Sequence, residues 1–231
     1  MYFDKVFKMT YDEYVNELLE QYGYAEEPYF TDFSLSVLNK KILRSKEGLT
    51  IHHIDEDKIP NLSAKENKIR ELDYSFKYQL PDRLVYCNYF EHLILHVKIV
   101  EKELSKPCGE RNNNTALGIG GVEFIASDID FMLNYKYNHT PNTYPFFSEL
   151  QRKTIEELNS WWVTVFVQTI RYFVEEVENK PGFCEWYGPK VELTFKKSLD
   201  EFLDKIHKIY TANATQFNQT ITEYCGISLE H

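Results

Sequence analysis

Two stretches decide the fold: Leu49-Thr50-Ile51-His52-His53-Ile54, and Pro81-Asp82-Arg83-Leu84-Val85-Tyr86-Cys87-Asn88-Tyr89-Phe90-Glu91-His92-Leu93-Ile94-Leu95-His96. Gly48 turns the chain into the run Leu49-Thr50-Ile51, which reads as a strand ending at the two histidines. Pro81-Asp82 turns it again into Leu84-Val85-Tyr86-Cys87, a second short strand, so the pair predicts a hairpin with a long insertion. From Tyr89 to Leu104 the residues Leu93, Val97, Val100 and Leu104 recur at helical spacing, and Pro107 stops that helix. His92 and His96 lie four apart on it, so both imidazoles leave from one face. Such a pair alone is more often two surface histidines than a metal site; His52-His53 is the support for metal. Neighbouring residues on a strand point to opposite sides, so one of these two can bind a metal while the other faces a substrate water.

The two stretches resemble the first and second halves of the HNH (ββα-metal) endonucleases of phages and bacteria and of the nuclease domains of DNase colicins. The resemblance covers roughly Lys40 to Leu104, under a third of the chain. It implies a β-hairpin crossed by a helix, with one divalent ion held by His52, His92 and His96 and with His53 as the general base. The activity it implies is hydrolysis of nucleic-acid phosphodiesters, DNA ahead of RNA. Three neutral imidazoles leave an open coordination position and suit zinc or nickel better than magnesium or manganese. One position departs from the family pattern: Arg83 stands where the asparagine of the motif belongs. Arginine has no acceptor and cannot copy an amide, so Arg83 contacts a scissile-strand phosphate or pairs with a carboxylate, and it is taken as the phosphate clamp of the catalytic site beside His53. Asn88 and Asn61 are the candidates for the lost amide's duty. The run Asp55-Glu56-Asp57 reads as a solvated turn in preference to a metal shell.

Outward from this element, Thr10 followed by Glu13 marks a helix start, and Tyr14, Leu18 and Leu19 carry that helix to about Gln21. A second helical stretch is expected through Phe33, Leu35, Val37, Leu38 and Ile42. Residues 107 to 147, with Asn112-Asn113-Asn114 and Gly118-Ile119-Gly120-Gly121, read as a loop-dominated connection with little helix; the glycines lack the Lys-Ser/Thr of a phosphate loop. Phe147 to Val177 and Val191 to Tyr224 read as two long helices, paired through the turn at Pro181-Gly182. The aromatic stripe Trp161, Trp162, Phe166 and Phe173 is read as packing core and not as a base-stacking platform. His139 and His207 are isolated and read as structural or exposed.

The organisation that follows is α+β, with an HNH-type ββα-metal element embedded among flanking helices and a helical C-terminal half. Its parts are an acidic helical leader over 1–39, the nuclease element over 40–106, a loop-rich connection over 107–147, a helical hairpin over 148–228, and a tag remnant at 229–231. Cys87, Cys108, Cys184 and Cys225 form no C-x-x-C pair and read as reduced thiols, and no apolar run is long enough for a membrane span, so a cytoplasmic address is expected. A net charge of -10 speaks against a polyanionic partner. The acidity, however, lies outside the motif: residues 40–106 carry 13 basic against 11 acidic side chains. The competing function is a non-catalytic, metal-stabilised binding module whose acidic helices meet a protein partner.

Overall fold

Thr10 caps the first helix, α1 (Tyr11–Tyr22), with its side chain on the backbone of Glu13, while the Glu13 carboxylate returns to the backbone of Thr10. This computed structural model describes residues 5–64, 76–107, 110–111, 118–138, 147–177, 180 and 183. Strand β1 (Thr50–His53) pairs antiparallel with β2 (Leu84–Cys87), His52 opposite Val85 and His53 opposite Leu84. Asn88 closes β2 and opens α2 (Tyr89–Leu104), accepting from Phe90 and Glu91 while Glu91 bonds back to its amide. Then follow α3 (Ile119–Asn138), α4 (Glu149–Glu157) and α5 (Ser160–Tyr172), which runs into a widened turn over Phe173–Val177.

Among the described residues the fold is thus mixed, one two-stranded hairpin among helices, as expected from the patterning. Helix α2 is its axis. Its apolar residues were expected on one face, but Leu93, Ile94, Leu95, Val97, Ile99 and Val100 are all buried, because α1, α3, α5 and the hairpin surround it. Burial extends to the polar Glu91, Lys98 and Glu103 as well, so nearly the whole helix lies within the core. Each such apolar side chain contributes about 1.5–3 kcal/mol when fully buried, so the helix that carries two site histidines is firmly anchored.

Three expectations fail. The stretch through Phe33 to Ile42 is not a continuous helix: the Asp32 carboxylate accepts from the amides of Ser36 and Val37 at 3.2 and 2.9 Å, Phe30 bridges to Leu38, and only a short 3-10 turn forms at Lys40–Ile42. An aspartate that captures local amides competes with helix formation. The loop expected over 107–147 contains α3, a twenty-residue helix whose Ile119, Val122, Ile125, Ile129 and Met132 are buried. The single helix from Phe147 to Val177 is two, parted at Asn159, whose side chain caps α5 by accepting from Trp162. Phe166 and Phe173 are core, as the stripe predicts, with Ile170 buried between them in the chain, and Trp162 stacks on Phe90 with ring centroids 5.0 Å apart. The helix expected over Val191 to Tyr224, the turn at Pro181-Gly182, His139, His207, and Cys108, Cys184 and Cys225 lie outside the described residues. Cys87 is a buried free thiol. No helix among the described residues is long and apolar enough to cross a membrane.

Candidate metal centre

β1 ends on His52 and His53, and the chain passes directly into a 3-10 turn over Ile54–Asp57 that carries Glu56 to the strand end. The first two turns of α2 bring His92 and His96 to the same place. The ring of His52 lies 5.2 Å from each of theirs, and theirs are 4.8 Å apart. His92 Nε2 and His96 Nε2 are separated by 3.2 Å, and Glu56 Oε2 is 3.5 Å from both His96 Nε2 and His52 Nδ1. One donor atom from each of the four falls within 4.8 Å of all the others. A tetrahedral ion with bonds of about 2.0–2.1 Å spaces its donors about 3.4 Å apart, so this spacing suits one ion of the zinc type. The cluster could hold a metal ion.

His52, His92 and His96 therefore converge as the sequence predicts, and Glu56 joins them. The solvated-turn reading of Asp55-Glu56-Asp57 is corrected: Asp55 and Asp57 are buried, and only 12% of the Glu56 side chain is exposed. The turn is tied down on both sides, Asp57 by Lys102 of α2 at 2.8 Å and Asp55 by Arg83 and Lys58. A carboxylate four residues after His52 was the available signal, and the surrounding acidic run disguised it.

Burial and the neighbouring imidazoles push His52 and His92 well below the usual histidine range, and burial pushes His96 down to about 4. Burial moves Glu56 the other way, up to about 8. Both shifts disfavour charge in a dry site. Near neutral pH the metal-free cluster is three neutral rings and a protonated acid, and the rings are already in their ligating form.

His53 leaves the strand toward a different set of partners. Its Nε2 meets Gln79 Oε1 at 2.9 Å, and the Gln79 amide nitrogen donates to Leu62 O at 3.2 Å. That second bond fixes the glutamine oxygen as the acceptor, so His53 carries its proton on Nε2 and keeps a lone pair on Nδ1. The Tyr29 ring meets the imidazole edge-on at 4.6 Å. Nδ1 is buried without a hydrogen bond, 3.9 Å from Glu56 Oε1. Burial holds this ring at about 4, the bond to Gln79 acting in the opposite direction. Glu56 thus has one oxygen toward the histidine cluster and the other toward His53.

Neither asparagine considered for the missing amide holds His53. Asn88 caps α2 and Asn61 sits in a turn with φ 58°. Arg83 turns its fork on Asp55, with Nε at 2.6 Å from Oδ2 and a second contact from Nη2 to Oδ1. Of the two partners expected for Arg83, a phosphate or a carboxylate, the carboxylate is the one it holds. Burial raises the Asp55 carboxyl, and Arg83 and Lys58 outweigh it, leaving the group below its usual range.

The glycines at the head of α3 shape the far wall. Gly118 takes φ 87° so that α3 can start against the carbonyl of His96, and a Cβ on Gly121 would lie 2.1 Å from His96 Nδ1. The absence of a side chain at Gly121 is what leaves room for the ring, a contact between elements that no sequence spacing signals.

Comparison with protein-family models, with curated proteins and with solved structures gave no match for this chain.

Proposed function

We propose that the chain is a metal-dependent endonuclease of the HNH type that hydrolyses nucleic-acid phosphodiesters, DNA ahead of RNA. The observation that carries this reading is His53: an imidazole anchored through Nε2, with an unpartnered Nδ1 lone pair, beside a four-donor metal cluster. A purely structural ion has no use for such a base. The order strand, turn, strand, helix, with one ligand from the strand end and two from the helix, supports the same family reading. His52, His92, His96 and Glu56 would hold the ion, which when bound supplies Lewis acidity toward a phosphate oxygen. His53 Nδ1 takes the proton of the attacking water, and Gln79 keeps that ring in the required tautomer. Glu56 lies between the base and the histidine cluster, so this reading requires its carboxylate to yield its place to a phosphate oxygen. Arg83, with a third of its side chain exposed, stands near the turn and holds Glu56's neighbour in place.

The second reading is the metal-stabilised binding module. Glu56 favours it, because four protein donors close a tetrahedral ion, as structural sites do. Plasmid cleavage with zinc, nickel, manganese and magnesium separates the two. The nuclease cuts with at least one of them, and His53→Ala retains metal while losing about a hundredfold to ten-thousandfold in rate. Wild type that cuts neither DNA nor RNA with any of the four leaves the module; a His53→Ala variant that cuts like wild type removes His53 from the chemistry.

A further inference from the structure

The leader helix reaches the centre through its first residue. Tyr11, 2% exposed, places its hydroxyl 2.9 Å from His52 Nε2 and 2.8 Å from the carbonyl of Ile54. A hydroxyl has one proton, and a carbonyl can only accept, so the Tyr11 proton is committed to Ile54 O. The contact with His52 must then run from the ring: Nε2–H donates to the Tyr11 oxygen. His52 is left with its lone pair on Nδ1, the atom that lies 3.5 Å from Glu56 Oε2 and has no hydrogen-bond partner. His92 and His96 instead approach each other through their Nε2 atoms.

The ends of the same contact are pinned as well. The ammonium of Lys102 sits 5.1 Å from the centre of the Tyr11 ring and joins Asp12 of α1, at 2.9 Å, to Asp57 of the Glu56 turn, at 2.8 Å. The first two residues of α1 therefore hold the backbone of Ile54, the ring of His52 and, through Lys102, the residue after Glu56.

We propose that Tyr11 is a positioning residue of the metal centre, which fixes His52 as an Nδ1 donor and makes ion affinity depend on the N-terminal helix. Groups of this outer kind orient ligand rings, and their loss typically costs tenfold to a hundredfold in metal affinity. The inference rests on the metal centre and not on nucleic-acid cleavage.

The test is Tyr11→Phe in the full chain, which keeps the ring and removes both hydrogen bonds. Zinc affinity, read by competition with a chromogenic chelator, is expected to fall about tenfold to a hundredfold. In the metal-free wild type, ring nitrogen-15 shifts are expected to show His52 protonated at Nε2, and in the variant to show that preference lost. Wild-type affinity in a folded Tyr11→Phe, or a wild-type His52 protonated at Nδ1, overturns the proposal. Should the variant fail to fold, the wild-type tautomer decides alone. Wild type that takes up no zinc overturns both the centre and this role, whereas wild type that binds zinc but cuts no nucleic acid overturns the nuclease and leaves Tyr11 standing.

Discussion

The site is built from two histidine pairs that are held in different ways. His92 and His96 occupy successive turns of α2, a helix buried on nearly every side, and what orients His96 is packing: its Nδ1 is buried without a partner, against Gly121 of α3. His52 and His53 stand at the end of the two-stranded hairpin where β1 leads into its long connection, and each is anchored through Nε2 by a side chain from elsewhere, Tyr11 for one and Gln79 for the other. A helix with a rigid setting needs only room for its rings. A short strand end is not enclosed by packed helices in the same way, and hydrogen bonds set the tautomers and the aim of its rings.

The comparison breaks most completely on the helix side. Gly121→Val places a branched side chain where a Cβ alone lies 2.1 Å from His96 Nδ1. Either the ring leaves the cluster or α3 moves off α2, so metal binding is expected to be lost, with overpacking costing about 1–3 kcal/mol or more. Equilibrium dialysis with zinc and a denaturant melt report the two effects, and a variant that binds zinc normally contradicts the packing account of His96.

On the strand side a lost anchor should be milder and selective. Gln79→Leu leaves His53 without its acceptor while touching no member of the metal cluster, so zinc affinity should stay within a few-fold of wild type. On the nuclease reading its cleavage rate falls about tenfold to a hundredfold, less than the loss on removing the base itself. Equal losses in Gln79→Leu and His53→Ala, or zinc affinity that falls with the rate, would merge the two strand-end roles that the geometry keeps apart.

Arg83→Ala sharpens the contrast between clamping a substrate and bracing the turn. Its fork holds a buried carboxylate, and leaving Asp55 with Lys58 alone is expected to cost about 1–3 kcal/mol of stability. The phosphate-clamp reading expects instead weaker nucleic-acid binding with a flatter salt dependence and little loss of stability. A chemical denaturation curve beside a salt titration decides between them.

Glu56 belongs to both pairs and gives the finest test. Its carboxyl is pushed up to about 8, above an ordinary value near 4.5, so it holds a proton below about pH 8 in the metal-free protein. An ion displaces that proton. Around pH 6.5 zinc binding should release about one proton, and His96 and His53, at about 4, contribute none because they are already neutral. Above pH 8 the release fades. Calorimetry in buffers of differing ionisation enthalpy measures it, and Glu56→Gln should abolish it; an unchanged release in that variant would place the proton elsewhere.

Much of this was legible from local chemistry. The Thr10 cap, the run Leu84-Val85-Tyr86-Cys87, the helix from Tyr89 to Leu104 and the pairing of His92 with His96 on one helix face follow from period, turn residues and spacing, whereas the convergence of His52 with them was implied only by the resemblance to HNH endonucleases. Where local signals compete, the sequence misleads: the Asp32 carboxylate takes amides that a helix through apolar residues would need, and glycines that suggest a loop form the head of α3. Glu56 was hidden by charged neighbours that promise solvent exposure.

The sequence by itself determined which residues can meet within one element, because strand and helix periods fix those relations without reference to the remainder. Only the tertiary structure decided which groups from distant segments complete the site. Tyr11, Gln79 and Gly121 lie far from the histidines in the chain, and their roles rest on a hydroxyl proton with one carbonyl to serve, an amide turned by Leu62, and a helix packed too close for a side chain.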